Sequence, residues 1–287
     1  MIELDKLKQN YTGVKNYNKS DFDTYGKVYK HTNENLPGYI PGLRDKKVLT
    51  VSASGDQLLN MMGIGCTDID TFDMNYFSPL FQSLKMYAIK YLEYEEVYLY
   101  FQYFEKYLYL KFNKYLPKKE RDFFDYIYQN EPERIFNNIF YSQSEDLLKG
   151  NNYFNKLTFL LIKEKLNELK HNHIYANVYD MVNFFDDTYD AMFLSNICEY
   201  LPSPEQFLYY LIYLRDYYLN DGGEIYYAYI YDTKENDIEG YIRSINEIFR
   251  GRFNSYEFKD ILENSQAITV QSIKDERQKD TVLVLHK

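Results

Sequence analysis

The sequence predicts an α/β protein, a doubly wound and mostly parallel sheet of seven strands interrupted by a helical insertion. Three observations predict it. From residue 46 onward, short β-branched or alternating runs recur between segments with helical apolar spacing. A long middle stretch carries amphipathic aromatic segments and no strand pattern. The last two apolar runs, AITVQSI and DTVLVLHK, are joined by a short polar turn, as in a hairpin.

Taken in order, residues 1–45 form an N-terminal segment, expected either to fold over the site as a lid or to be a loop whose polar groups cap one another before Pro37. The α/β domain, 46–287, opens with KKVLTVSA as a strand, DQLLNMMGIG as a helix stopped by Gly63 and Gly65, and TDIDTFDMN as a second strand. A helix over 76–92 follows, with Leu80, Leu84, Tyr87, Ala88 and Tyr91 on one stripe. The insertion spans about 94–169 and is punctuated by Pro117, Pro132 and Gly150. It is expected to cover the pocket, to bury itself as a cap, or to make a homodimer contact. HIYANVYD and YDAMFLSNI then read as strands three and four, the third ending in Tyr179-Asp180-Met181. PEQFLYYLIYLRDYYLN reads as a helix opened by Pro204, GGEIYYAYIY as a strand, 238–249 as a helix, and the final pair as an antiparallel hairpin.

Composition narrows the function. Hydrophobic residues make up 45% and charged residues 26%, the balance of a globular protein able to bury a core, while 34 Tyr and 20 Phe without Trp point to half-buried amphipathic aromatics. The formal net charge of −10 leads to an expectation of no nucleic acid and no anionic membrane surface as partners, because both attract Lys and Arg. No apolar run reaches a membrane span, so stable membrane insertion is not expected. The polar start MIELDKLKQN lacks the apolar core of a signal peptide, and a cytoplasmic location is the expectation. Cys66 and Cys198 form no framework and no CxxC pair.

In a doubly wound sheet the ligand lies beyond the carboxyl ends of the strands, where the order reverses. The first such loop is Ser52-Ala53-Ser54-Gly55-Asp56-Gln57. Gly55 offers close backbone approach, Ser52 and Ser54 are short and polar, and a helix begins just beyond. The loop is not GxGxxG, and Asp56 at the helix start would meet a pyrophosphate with the wrong charge. Asp73, about 20 residues beyond the loop, is placed to accept from ribose hydroxyls, with Met74 and Asn75 beside it. Asp180 could meet an exocyclic adenine amine beside Met181, and Ser195 and Asn196 would face the same crevice from the fourth strand. Together these residues predict a ligand that contains a nucleoside and lacks pyrophosphate.

VLTVSASGDQ with Asn60, IDTFDMN, DAMFLSNICEYL and the upstream YKHTNENLPGYIP together resemble the class I S-adenosylmethionine-dependent transferases. Within them the resemblance is to the branch of betaine-lipid aminocarboxypropyltransferases and related bacterial proteins. It covers about 29–92 and 173–231, and S-x-S-G-D-Q is its most distinctive motif. It implies a Rossmann-like methyltransferase fold binding S-adenosyl-L-methionine as co-substrate. Ser54, Gly55 and Asp56 would lie near the amino-acid end, Asp73 on the ribose and Asp180 near the adenine. The expected activity is aminocarboxypropyl transfer to a small-molecule or lipid-like acceptor. Methyl transfer stays open beside it, as does a non-catalytic sensor or scaffold.

Near the acceptor the candidates are Asn196, Glu199 and Tyr200, with Thr32, Asn33, Glu34 and Asn35 if the N-terminal segment closes over the pocket. Glu199 could take a proton from the acceptor, or merely cap the turn after a strand. His171 and His173 point to one face of a strand without a third ligand nearby, so no metal is expected. His31 adjoins the lid segment as a candidate base.

Overall fold

The computed structural model describes residues 28–130, 140–141, 150–197, 201, 204–232, 260–261 and 263–287, with 4, 5 and 8. Seven strands form one sheet: β2 (Lys47–Val51), β3 (Asp68–Phe72), β5 (Lys170–Ile174), β6 (Tyr189–Phe193), β7 (Leu219–Ile230), β8 (Ser265–Gln271) and β9 (Lys279–His286). Their order is β5-β3-β2-β6-β7-β9-β8. Neighbours run parallel except at β9, which is antiparallel to both β7 and β8. This is an α/β class I methyltransferase-like Rossmann fold. The order runs outward from β2 in both directions, through β3 to β5 on one side and through β6 to β7 on the other, which puts the reversal at β2.

Alternation along the strands feeds two apolar layers. On one face Val48, Ile69, Phe193 and Val284 pack with α1 (Asp56–Met62) and α2 (Phe77–Tyr91). On the other, Leu49, Met192, Ile225 and Leu285 pack with Leu211 and Leu214 of α7 (Pro204–Tyr218). The insertion supplies α3 (Tyr94–Tyr103), α4 (Lys106–Phe112), α5 (Lys118–Asn130) and α6 (Lys156–Lys165). Its Tyr100, Phe101, Phe112 and Phe159 are buried in the same layer as α1 and α2. The tyrosines go deeper than half-burial: Tyr100, Tyr109, Tyr128, Tyr153, Tyr189 and Tyr229 are fully enclosed. Each brings its hydroxyl to a partner, for example Tyr109 to Asp125 at 2.7 Å and Tyr189 to Asp70 at 2.9 Å.

Three expectations are corrected. The third strand is Lys170–Ile174 and not HIYANVYD, so Asp180 stands six residues past the strand end rather than on it. Its first three residues are exposed and give no apolar period, whereas Ile174 at its end and Ala176 and Val178 in the loop beyond alternate as buried residues. The insertion does contain a strand, β4 (Phe140–Tyr141), paired in parallel with β1 (Val28–Tyr29) and too short to show a period. No described residue of the insertion lines the pocket; its helices pack on α2 instead. The helix expected over 238–249 lies outside the described residues. Among the described residues, no helix is long and apolar enough to cross a membrane.

Candidate active site

The carboxyl ends of β3, β2 and β6 open onto a cavity of about 220 Å³. Its walls are Val51 and Phe72 from the strand ends, Ala176 and Val178 from the loop after β5, and Ile197 and Leu201 beyond β6. The polar groups come from four loops and from the N-terminal segment.

The loop after β2 turns tightly, with the Gly55 N–H donating to Ser52 O at 2.7 Å. Ala53 (φ 42°) and Gly55 (φ 81°) both take left-handed backbone there. Ser195, after β6, does the same at φ 57°. Ala53 and Ser195, the two non-glycine residues with left-handed backbone in these turns, line the cavity. Strain of this kind collects at ligand sites.

Asp73 follows the last residue of β3 and faces the cavity. Its Oδ2 accepts from Ala53 N at 3.0 Å and its Oδ1 from Asn75 N at 2.9 Å, which locks the β2 and β3 loops together around one carboxylate. Burial among the apolar walls pushes its carboxyl up to about 6, against the downward pull of these donors and the Ser78 hydroxyl. Asn75 in turn accepts from Phe77 N at 2.9 Å, fixing the start of α2.

Asp56 is fully buried and does not line the cavity. Its Oδ1 accepts from Lys85 Nζ at 2.5 Å and from Tyr153 OH at 2.6 Å, and its Oδ2 from Thr32 N at 2.6 Å and Ser54 Oγ at 2.9 Å. Burial is the strongest single influence and works to raise this carboxyl, but the Lys85 ammonium, His31 and the hydrogen bonds from Lys85 and Tyr153 together hold Asp56 below its ordinary value. His31 lies alongside, Nδ1 4.0 Å from Asp56 Oδ2, with burial as the main cause lowering its imidazole to about 3. The cluster ties the N-terminal segment, the β2 loop, α2 and the insertion to one point.

Of the residues singled out from sequence, Ser54, Gln57, Asp73, Met74, Asn75, Ser195 and Asn196 line the cavity, as do Thr32, Asn33 and Glu34. Ser52, Gly55 and Asp56 do not: Ser52 donates to Gln82 at 2.9 Å, and a Cβ on Gly55 would lie 2.8 Å from Gln82 Cα. The openness of Gly55 therefore serves the packing of this turn on α2 rather than the approach of a ligand. Asp180 is exposed and turned back onto Asn177, whose Nδ2 donates to it at 2.6 Å, while Met181 is in the core. Asn177 occupies the cavity wall. The alternation that carries the sequence pattern on to Asp180 hides it. His171 and His173 both bond Thr71 Oγ1, at 3.0 and 2.9 Å. Glu199 and Tyr200 lie outside the described residues.

The N-terminal residues contribute more than their polarity suggests. Thr32, Asn33 and Glu34 are buried. Asn33 Oδ1 accepts from Tyr231 OH at 2.7 Å, and Glu34 accepts from Tyr39 OH at 2.9 Å and from the Ser195 hydroxyl. Leu36 and Leu43 then anchor the segment in the core.

No family model matches the chain, and no curated protein matches it. Solved structures do. An rRNA methylase from Streptococcus thermophilus is 10% identical, with a TM-score of 0.36 and coverage of 86% of this chain and 89% of that one. The rRNA methyltransferase aviRa from Streptomyces viridochromogenes is 8% identical, with a TM-score of 0.40 and coverage of 86% and 78%. A candidate SAM-dependent methyltransferase from Streptococcus mutans is 11% identical, with a TM-score of 0.38 and coverage of 89% and 47%. At these values no residue role and no activity passes from them to this chain. The first two do correct one expectation: with RNA methylases among the similar structures, the partner expectation that excluded nucleic acid does not stand. The physical reason is that a net charge of −10 describes the whole chain, whereas phosphate contacts depend on where its 33 Lys and Arg lie.

Proposed function

We propose that the chain transfers a group from S-adenosyl-L-methionine. The observation that carries this reading is Asp73, a carboxylate fixed by two backbone N–H groups at the end of the strand next to β2, facing a cavity at the sheet's reversal point. The residues present fit the molecule. Asp73 would accept from the ribose hydroxyls, Phe72, Ala176 and Val178 would flank the adenine, and Ala53 and Ser54 would border the methionyl end. When bound, S-adenosylmethionine supplies a sulfonium that makes the adjoining carbons electrophilic. The chain's own work is then to orient the molecule and to exclude water behind apolar walls.

Methyl transfer takes precedence over aminocarboxypropyl transfer. The latter rests on a resemblance whose most distinctive part is the S-x-S-G-D-Q motif, and packing accounts for much of that motif: Ser52 on Gln82, Gly55 against Gln82, and Asp56 paired with Lys85. The experiment is a product assay with S-adenosylmethionine and a panel of amine, hydroxyl, RNA and lipid acceptors. S-adenosylhomocysteine as product supports methyl transfer, and methylthioadenosine supports aminocarboxypropyl transfer. Binding without either product would favour a sensor.

A further inference from the structure

The cavity has a second buried carboxylate whose role the nucleoside reading leaves open. Glu34 is 2% exposed and lines the wall. Its Oε2 accepts from Tyr39 OH at 2.9 Å, its Oε1 from the Ser195 hydroxyl, and its own N–H donates to Thr32 Oγ1 at 3.2 Å. The contrast with Asp56 is informative, since Asp56 is buried behind the wall against Lys85 whereas Glu34 is presented at the wall by hydroxyl donors.

Position says which part of a ligand Glu34 would meet. Ser195 stands beyond β6, and β6 is two strands from β3, where Asp73 is. Strands lie about 4.8 Å apart, so the Ser195 turn to which Glu34 is bonded is displaced by about 10 Å from the Asp73 turn across the sheet. With the ribose on Asp73 and the base toward β5, the β6 side is where the methionyl end and the incoming acceptor meet. The described lining residues include two carboxylates, Glu34 and Asp73, and no Lys, Arg or His. A carboxylate in an apolar wall favours a cation beside it and penalises an anion.

We infer that Glu34 marks the acceptor end of the cavity and that the acceptor is an amine nitrogen. This rests on reading the cavity as the S-adenosylmethionine site. An amine nitrogen attacks the carbon bonded to the sulfonium; the C–N bond forms as the C–S pair departs onto sulfur. The alkylated nitrogen, now cationic, then gives one N–H proton to the Glu34 carboxylate.

The test needs no knowledge of the natural acceptor. S-adenosylhomocysteine is neutral at the transfer position, whereas the analogue carrying a primary amine on carbon in place of the methylated sulfur puts an ammonium there. Calorimetric titration at pH 7.5 compares both on wild type and on Glu34→Gln, with thermal melts to verify folding. Wild type should prefer the amine analogue by about tenfold or more, and Glu34→Gln should reduce the ratio of the two affinities to within about threefold. Should Glu34→Gln not fold, Glu34→Asp keeps the charge but withdraws it by one methylene, and the ratio should fall part of the way. An unchanged ratio in the folded variant, or no preference in wild type, overturns the inference while the nucleoside site stands. Failure of wild type to bind S-adenosylhomocysteine at all overturns both.

Discussion

At the scale of the residue, Asp73 and Gly55 carry the most specific consequences. A carboxyl that titrates near 6 must be ionised to accept from two ribose hydroxyls. S-adenosylmethionine affinity should therefore be level above pH 7 and should weaken about tenfold per unit well below pH 6, while Asp73→Asn should bind weakly with a flat profile in that window; titrations from pH 5 to 8 measure this. Gly55 is different in kind. Alanine there meets both a left-handed φ of 81° and the Gln82 backbone, so Gly55→Ala should destabilise by about 1–3 kcal/mol in urea unfolding. From sequence Gly55 is the approach glycine for a ligand, because a glycine in a strand-to-helix loop looks the same whether its open side faces a ligand or a helix. Only the path of α2 past the loop, which brings Gln82 to it, distinguishes the two.

At the scale of the element, the Asp56 cluster decides how the pieces hold together. Lys85 on α2, Tyr153 from the insertion and Thr32 from the N-terminal segment all converge on one carboxylate. Lys85→Met would strand that carboxylate inside the protein and should cost about 3–5 kcal/mol, with Asp56→Leu/Lys85→Met less damaged than Lys85→Met alone in a double-mutant cycle. The sequence could announce an acid at the start of α1, but not a lysine 29 positions later as its partner. The same distance problem leaves the role of residues 32–34 open in the sequence between a lid and a self-capping loop. These polar side chains before Pro37 are buried because Tyr231 and Ser195, remote in the chain, join the nearby Tyr39 in supplying their hydrogen bonds. β5 is the opposite case: an edge strand with exposed residues leaves no periodic trace, while the loop after it alternates and imitates a strand.

At the scale of the whole molecule, the sheet was legible where both faces are covered. β2, β6, β7 and β9 are runs of buried apolar residues, and their class and number could be read directly. The buried His31 gives the molecule an acid limit. Its folded-state value of about 3 lies below the ordinary 6.5, so the unfolded chain takes the proton first. The stabilisation is intact above pH 6.5 and is lost as pH falls from there toward 3, at about 1.4 kcal/mol per unit from this residue. Urea unfolding at pH 7, 6 and 5 should show the decline, and His31→Gln should make it shallower.

We propose above that the crevice at the reversal of this sheet holds S-adenosylmethionine by Asp73. Calorimetric titration of S-adenosylmethionine at pH 7.5 into wild type and into folded Asp73→Asn tests it most directly. One site is expected in wild type and at least about tenfold weaker binding in the variant, since a hydrogen-bonded charge is removed from a buried contact. No binding to wild type would contradict the claim outright, and equal affinity in the two proteins would remove Asp73 from it.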